Sequence, residues 1–196
     1  MKSRIFLAGV GGQGTLTATN LLGFLALDQG VDVCAGEIHG MAQRGGIVES
    51  ALLLGGYMSP KIAPGEADIL LGFEPLETLR ALPYLQRRGL LISNTDPTMP
   101  VGVSTGRETY PDLEEVEAKS RACAGQASFV PCKTLAAQAG TVQSANMVLL
   151  GALCAAEHEP FTLNALHQAI TKHLPVKIVD INLKASQLGF DAAREQ

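Results

Sequence analysis

The sequence predicts an α/β fold with a Rossmann-like, open, mostly parallel sheet, helices on both faces and a helical C-terminal part. Two observations support this prediction. Short apolar runs alternate with longer helical stretches, and a glycine-rich loop joins the first strand to the first helix. The chain has 196 residues, which suits a single domain over residues 1–196 with a full hydrophobic core. In such sheets, ligands and partners meet the carboxyl ends of the strands.

The first strand and helix can be read directly from the N-terminal residues. Residues 5–8 are a short apolar run, typical of a central strand that is covered on both faces. A helix is predicted from residue 15 to about 29, where Gly30 stops it. Its apolar side chains, Phe24 among them, wrap more than one face, so we expect the helix to be buried or to contact a partner. Further strands are predicted at 31–37, 47–54, 67–73, 89–93 and 127–132.

The later helices are marked by their starting residues. Glu74 and Pro75 begin a helix that is predicted to run to about residue 88, since proline suits the first turn and an anion suits its positive end. Residues 94–97 form a turn, residues 100–106 are irregular, and Asp112 is the predicted N-cap of a helix over 112–124. Four more helices are predicted at 134–139, 144–157, 162–173 and 176–188.

The composition limits the kinds of partner. Hydrophobic residues make up 46% and charged residues 17%, below the usual charged fraction of about 25%. This fits either a compact, well-buried core or a surface that a partner chain covers. The net charge is −4 and no basic run exceeds Arg87-Arg88, which argues against nucleic-acid binding. The longest apolar stretch, 147–156, is too short to span a membrane, so we expect a cytoplasmic protein with no membrane contact.

Four cysteines are scattered along the chain. Cys34, Cys123, Cys132 and Cys154 form no CxxC pair and have no histidine at metal-binding spacing. We therefore expect reduced thiols, no metal site and no iron–sulfur cluster held by this chain alone, because a cluster needs about four thiolates close together.

The first glycine-rich loop matches a known fingerprint. Gly9, Gly11 and Gly14 fit G-x-G-x-x-G between a strand and a helix, the context in which NAD or FAD binds. Glu37 lies at a suitable distance to hold a ribose. However, Gly12 is an extra glycine, and the Gln13 amide can hold a neighbouring loop as well as a ligand. The glycines also suit simple strand–helix packing.

The second glycine-rich loop is less usual. Residues 39–46 place His39, Gln43 and Arg44 beside Gly45 and Gly46. The group is either a surface loop with a chance polar cluster or a rigid arch that presents Arg44 to a carboxylate or phosphate. The planar guanidinium suits the second role.

Together the two loops resemble a known family. GVGGQG at 9–14, followed at this distance by EIHGMAQRGG at 37–46, is similar to the gamma-type subunits of 2-oxoacid:ferredoxin oxidoreductases. The segment HGMAQRGG at 39–46 is most similar to the indolepyruvate branch of that family. The similarity extends to GFEPLE at 72–77, to Asn146 and to Asn182-Leu183, so it covers nearly the whole chain.

The resemblance implies a subunit of a multi-subunit enzyme. That enzyme oxidatively decarboxylates an aryl 2-oxoacid with thiamine diphosphate, passes the electrons through iron–sulfur clusters to ferredoxin, and transfers the acyl group to coenzyme A. In this family the thiamine and cluster sites belong to the larger subunit. We therefore expect this chain to be inactive alone and to form one wall of the site. The alternatives are a stand-alone NAD(P)-dependent oxidoreductase and a non-catalytic scaffold.

No residue of this chain is predicted as catalytic. As bases, His39, Glu37 and Glu74 are candidates, but His39 is better read as a loop brace and Glu74 as a helix-start anion. Asn94 and Asp96 suit a turn, whereas Asn146 lies inside a helix, which suggests a cross-loop hydrogen bond. The residues predicted to face substrate, coenzyme A or the partner are Gly9, Gly11, Gly12, Gln13, Gly14, His39, Gln43, Arg44, Gly45, Gly46 and Asn146, with Gln43 and Arg44 foremost.

Overall fold

The computed structural model describes residues 2–39, 46–99, 103, 105–106 and 109–196. Six strands form one sheet: β1 (Ser3–Val10), β2 (Val33–His39), β3 (Ile47–Leu54), β4 (Ala67–Gly72), β5 (Leu85–Asn94) and β6 (Gln126–Val130). The helices among these residues are α1 (Thr15–Asp28), α2 (Pro75–Ala81), α3 (Leu113–Cys123), α4 (Cys132–Ala139), α5 (Ala145–Ala155), α6 (Leu163–His173) and α7 (Val176–Arg194).

The sheet is mixed but mostly parallel, as predicted. Its strand order is β2-β3-β1-β4-β5-β6, and β1, β4, β5 and β6 are mutually parallel. Only β3 runs against its neighbours, pairing Ile47 with Val10 of β1 and Val48 with His39 of β2. The carboxyl ends of the other five strands and the start of β3 therefore share one edge, here called the carboxyl edge.

Helices cover both faces of the sheet, which confirms the predicted layers. On one face α1 and α4–α7 enclose the larger core, in which Leu7, Leu71 and Phe161 are buried. On the other face α2 and α3 cover β4–β6 over a smaller core around Phe6 and Leu91. Among the described residues, no helix is both long and apolar enough to cross a membrane.

The helical C-terminal part depends on a close backbone approach between α5 and α7. A Cβ atom added at Gly151 would lie 1.8 Å from the carbonyl oxygen of Ser186, and one at Gly189 would lie 1.9 Å from that of Val148. Only glycine fits at either position. This contact fixes α5, whose N-terminus reaches the carboxyl edge.

Several predicted boundaries are wrong. The helix predicted to reach residue 88 ends at Ala81, and a 3-10 turn over Leu82–Tyr84 leads into β5 at Leu85. Pro83 has no N–H to continue an α-helix, and Leu85 is buried where β5 begins beside β4.

The second wrong boundary concerns Cys132, which was predicted to end a strand but begins α4. Side chains at the end of β5 and in the following loop accept hydrogen bonds from the backbone N–H groups at the start of α4. The Asn94 side chain accepts from Cys132, and the Asp96 side chain accepts from Lys133 and Thr134. The last helix also runs further than predicted, to Arg194.

Candidate functional site

The predicted loops meet at the carboxyl edge. Residues 9–14 follow β1, Glu74 follows β4, and residues 94–96 end β5 and begin the next loop. The backbone of His39 ends β2 at the same edge. Gln43 and Arg44, the foremost predicted contacts, lie outside the described residues, as do Gly45 and the side chain of His39.

The two glycine-rich loops are joined by a direct hydrogen bond. The backbone N–H of Gly11 donates to the carbonyl oxygen of Gly46 at 2.9 Å. Because Gly46 immediately precedes β3, this bond ties the end of the second loop to the crest of the first. It also occupies one of the amides that a dinucleotide phosphate would use.

Gln13 holds neighbouring loops together. Its Oε1 accepts from the backbone N–H of Val10 at 2.8 Å. Its Nε2 donates to the carbonyl oxygen of Phe73 at 3.1 Å and to Thr98 Oγ1 at 3.2 Å. The amide thus connects the segments that follow β1, β4 and β5, leaving its polar atoms little capacity for a ligand.

Gly14 and Asn146 form the contact between the first loop and α5. Gly14 has a φ of 78°, and a Cβ there would lie 2.6 Å from Asn146 Nδ2. The same Nδ2 donates to the carbonyl oxygen of Gly14 at 3.4 Å. The cross-loop hydrogen bond expected of Asn146 is therefore present, and glycine is needed both for the backbone conformation and for the space.

The N-terminus of α1 has no cap of its own. Gly14 supplies no side chain, and the first turn contains no acidic residue. Ser144, the N-cap residue of α5, is also buried and makes no side-chain capping bond. Both helix starts border a cavity of about 270 Å³, so backbone N–H groups and a hydroxyl are available to an anion there.

A smaller cavity of about 150 Å³ adjoins the first one. The two share Gly12, Gln13, Gln143 and Asn146 in their walls. The larger extends toward Asn182 on α7, and the smaller toward Asn94 and Lys133. The two adjoining cavities along the carboxyl edge are here called the edge site; their walls combine polar and apolar side chains.

Glu74 is a structural anion, as the sequence suggested. It is buried, and its side chain accepts the N–H of Glu77 at 3.0 Å as the N-cap of α2. Its other oxygen accepts from the N–H of Thr98 and from the hydroxyl of Tyr110. Burial, with the hydrogen bond to Glu74, raises the pKa of Tyr110, so that hydroxyl keeps its proton. Glu74 therefore fastens Thr98 and Tyr110.

Asn94 and Asp96 are turn residues that organise α4. Asn94 is buried and donates to the carbonyl oxygens of Phe73 and Asp96, while its own oxygen accepts from Asp96 and Cys132. The Asp96 carboxylate accepts three further hydrogen bonds, two of them from the N–H groups of Lys133 and Thr134. Neither side chain is left to act on a substrate.

The strand order removes the predicted ribose contact of Glu37. Strand β3 lies between β1 and β2, which places Glu37 two strand spacings, roughly 10 Å, from the first glycine loop. The Glu37 side chain also accepts a hydrogen bond from Ser50 of β3 at 3.1 Å. The fingerprint is thus present without the adjacent second strand that dinucleotide binding uses.

Sequence reasoning missed several residues of the edge site, among them Lys133 and Ser144. It also missed Thr98, which is hydrogen-bonded to Lys133. Thr98 Oγ1 accepts from both Gln13 and Lys133. Of these residues, only Lys133 could have been noticed in the sequence. It is a cation that directly follows a predicted strand and lies in the first turn of a helix, where positive charge is unfavourable.

The four cysteines do not form a common site in the described part of the chain. Cys132 and Cys154 are buried, and burial raises the pKa of both thiols. Among the residues that the structure describes, no group of three His, Cys, Asp or Glu side chains is placed to hold a metal ion. The described residues therefore do not fit an iron–sulfur cluster.

Comparison with known proteins identifies the family. Residues 4–192 match the family model described as pyruvate ferredoxin/flavodoxin oxidoreductase. Subunit IorB of indolepyruvate oxidoreductase from Pyrococcus horikoshii is 42% identical over 193 residues, covering 97% of this chain and 96% of the relative.

Solved structures agree with the fold. The gamma subunit of a keto/oxoacid ferredoxin oxidoreductase from Geobacter sulfurreducens has a TM-score of 0.70 at 22% identity, covering 99% of both chains. A 2-oxoglutarate:ferredoxin oxidoreductase from Magnetococcus marinus, solved with 2-oxoglutarate, coenzyme A and succinyl-CoA bound, has a TM-score of 0.74 at 16% identity. All of this chain aligns there with 31% of the longer chain. The chain belongs to the pyruvate ferredoxin/flavodoxin oxidoreductase family.

Proposed function

We propose that this chain is the small subunit of a thiamine-dependent 2-oxoacid:ferredoxin oxidoreductase of the indolepyruvate type. The enzyme oxidatively decarboxylates an aryl 2-oxoacid, reduces ferredoxin and forms an acyl-coenzyme A. The 42% identity to an indolepyruvate oxidoreductase subunit over almost the full length of both chains carries this proposal. The larger subunit holds thiamine diphosphate, which supplies the decarboxylation chemistry when bound, and the iron–sulfur clusters.

The edge site suits one anionic part of coenzyme A. The uncapped start of α1 offers backbone N–H groups, and Ser144 offers a hydroxyl beside them. The described residues that line the two cavities include no carboxylate that would repel a phosphate. Asn146 can position such a group because it is itself held by Gly14. In this role the chain binds and orients the acyl acceptor and excludes water from it.

The surroundings of the edge site suit a partner subunit. Several large apolar side chains are exposed around it. A single exposed apolar residue needs no explanation, but a group of them around one site indicates an interface. Val176, at the start of α7, is 89% exposed, and Ile38, near the end of β2, is 70% exposed. The exposed apolar residues around this edge are Leu16, Ile38, Ile47, Met99, Val142 and Val176.

The same arrangement explains why the chain needs a partner. The polar side chains described in the edge site are amides, hydroxyls, one thiol whose pKa is raised and one ammonium group. None of these is a poised general base or an activated nucleophile. Gln43 and Arg44, which precede Gly46 in the second loop, remain predicted contacts to the partner or to an anionic group.

Substitution of Arg44 separates a site role from a scaffold role. The chain is purified as a complex with its large subunit, and Arg44→Met is compared with Arg87→Met, an exposed arginine at the opposite end of β5. We expect Arg44→Met to lower kcat/KM for indolepyruvate or coenzyme A about 10-fold or more while the complex stays intact. Loss of assembly without a kinetic change in the remaining complex would instead indicate a scaffold.

A substrate panel tests the indolepyruvate assignment. Indolepyruvate, phenylpyruvate, pyruvate and 2-oxoglutarate are compared by kcat/KM in the assembled complex, with viologen dye as electron acceptor. The proposal predicts a clear preference for the aryl 2-oxoacids. A preference for pyruvate or 2-oxoglutarate would keep the family and overturn the proposed substrate.

A further inference from the structure

We propose that Lys133 is the residue of this chain that binds an oxyanion of a reactant in the edge site. The inference rests on the proposed function and adds a residue that neither glycine-rich loop contains. The group it binds is a phosphate of coenzyme A or the carboxylate of the 2-oxoacid, which present the same chemistry to an ammonium group. The kinetic test below distinguishes these two sources.

The charge distribution of the edge site singles out Lys133. Among the described residues that line the two cavities, it is the one charged side chain; the others are amides, hydroxyls, a thiol and apolar groups. No ion pair of Lys133 occurs within the described part of the chain. No described carboxylate therefore bonds to the Lys133 ammonium group, and an anion in the cavity would pair with it.

The helix dipole does not favour a cation at the position of Lys133. It occupies the first turn of α4, whose N-terminus carries partial positive charge. A cation at that place destabilises a helix, whereas an anion would stabilise it by about 0.3–1 kcal/mol. The carboxylate of Asp96 already serves as the cap for this end. The helix end thus accounts for Asp96, whereas the helix dipole does not favour a lysine beside it.

The ammonium group is held in place ready to bind. Lys133 Nζ donates to the carbonyl oxygen of Pro97 at 2.7 Å and to Thr98 Oγ1 at 2.7 Å. Both acceptors are neutral, and an ammonium group has three donors, so one N–H remains for a ligand. Thr98 is in turn fixed by Gln13 and Glu74. An ordered ammonium group loses less conformational entropy on binding than a free lysine side chain.

The test is steady-state kinetics on the assembled complex with three variants. Lys133→Met keeps the aliphatic stem and removes the charge, and Lys133→Arg restores it. Lys184→Met is the matched control, because Lys184 Nζ also donates to a backbone carbonyl, that of Gln138, but lines neither cavity. KM for coenzyme A and KM for indolepyruvate are measured separately at low and high ionic strength.

The expected result is a selective loss of binding. Lys133→Met raises KM for one of the two anionic reactants about 10- to 100-fold, while kcat stays within about threefold. Lys133→Arg restores most of the loss, and Lys184→Met has no effect. The affected KM also becomes less sensitive to salt in Lys133→Met, because screening acts on the charge that was removed. The reactant whose KM rises identifies the source of the oxyanion.

Two results would overturn the inference. Both KM values could stay within about twofold of wild type in Lys133→Met. Alternatively, kcat and thermal stability could fall together with unchanged KM, which would show that Lys133 only ties down residues 97–98. If the complex turns over no 2-oxoacid, the proposed function fails instead. Calorimetric titration of the wild-type and Lys133→Met complexes with coenzyme A and with indolepyruvate then tests Lys133 separately. A higher Kd for one reactant in the variant supports the inference, and no change in either Kd overturns it.

Discussion

Replacing Gln13 by leucine tests whether this amide holds the carboxyl edge together. Leucine has a similar size but no polar atoms, so the substitution removes the hydrogen bonds to Val10, Phe73 and Thr98 at once. If Gln13 instead faces a ligand, as the sequence allowed, the same change would affect binding and leave stability almost unaltered. The two roles therefore predict different measurements.

The expected loss of stability follows from the hydrogen bonds that each partner of Gln13 keeps in the variant. The carbonyl oxygen of Phe73 still accepts from Asn94 Nδ2 at 2.9 Å, and Thr98 Oγ1 still accepts from Lys133 Nζ. The backbone N–H of Val10 loses its side-chain acceptor, and Val10 is buried. An orphaned buried donor costs about 1–3 kcal/mol, and the two replaceable bonds add about 0.5 kcal/mol each. We expect Gln13→Leu to lower the free energy of unfolding by about 2–4 kcal/mol.

Urea denaturation followed by circular dichroism measures this change. The control is Gln29→Leu, because Gln29 is exposed at the end of α1 and its Nε2 donates only to the carbonyl oxygens of Leu25 and Pro160. We expect less than about 1 kcal/mol for this variant. An equally small effect for Gln13→Leu would refute the bracing role and return Gln13 to the group of ligand contacts.

Two further predictions concern packing and pH. Gly189→Ala should destabilise the chain by about 3 kcal/mol or more, because its methyl group would overlap the carbonyl oxygen of Val148. Gly23→Ala, with no atom closer than 3.7 Å, should be neutral or stabilising by up to about 1 kcal/mol; similar results for the two glycines in thermal unfolding would contradict the proposed packing. Burial raises the pKa of Glu77 above its ordinary 4.5. The folded state therefore retains a proton that the unfolded state releases, and Glu77 lowers the free energy of unfolding as pH rises above about 4.5. Glu77→Gln should therefore gain stability relative to wild type between about pH 4 and 6, and a difference that does not change with pH in urea titrations would show that the sign is wrong.

The fold could be predicted largely because its signals are local. Apolar runs marked the strands. Glu74 marked a helix start as an anion and Asp112 marked one as an N-cap, and both side chains accept capping hydrogen bonds. The start of α4 could not be found in this way. Its amides are capped by Asp96, a side chain 37 residues earlier than Lys133, and such a partner is known only when the strands have been placed side by side.

The antiparallel strand β3 had a signal that was not used. Residues 40–46 are too few for the helical crossover that joins parallel strands, which takes about a dozen residues or more. That length predicts a hairpin from β2 to β3, and a hairpin separates Glu37 from the first glycine loop. The resemblance of the two loops to a family indicated the function. Strand direction, which only the structure gave, explains why the G-x-G-x-x-G pattern lacks its usual ribose contact.

The candidate site was found in part, for the same physical reason. Asn146 could be singled out because asparagine inside a helix needs an explanation, and its bond to Gly14 supplies one. Ser144 and Thr98 are ordinary residues whose positions matter only through the cavity and the hydrogen bonds around them. Their contribution depends on contacts between distant segments, which a single sequence does not show.

The most direct test of the account is dye reduction by three preparations: this chain alone, its large subunit alone, and the assembled pair. Each receives indolepyruvate, coenzyme A and an oxidised viologen dye. The account predicts turnover that depends on coenzyme A in the pair, and none in this chain alone. Turnover by this chain alone, or a large subunit that is fully active without it, would contradict the claim that the edge site forms one wall of a shared active site.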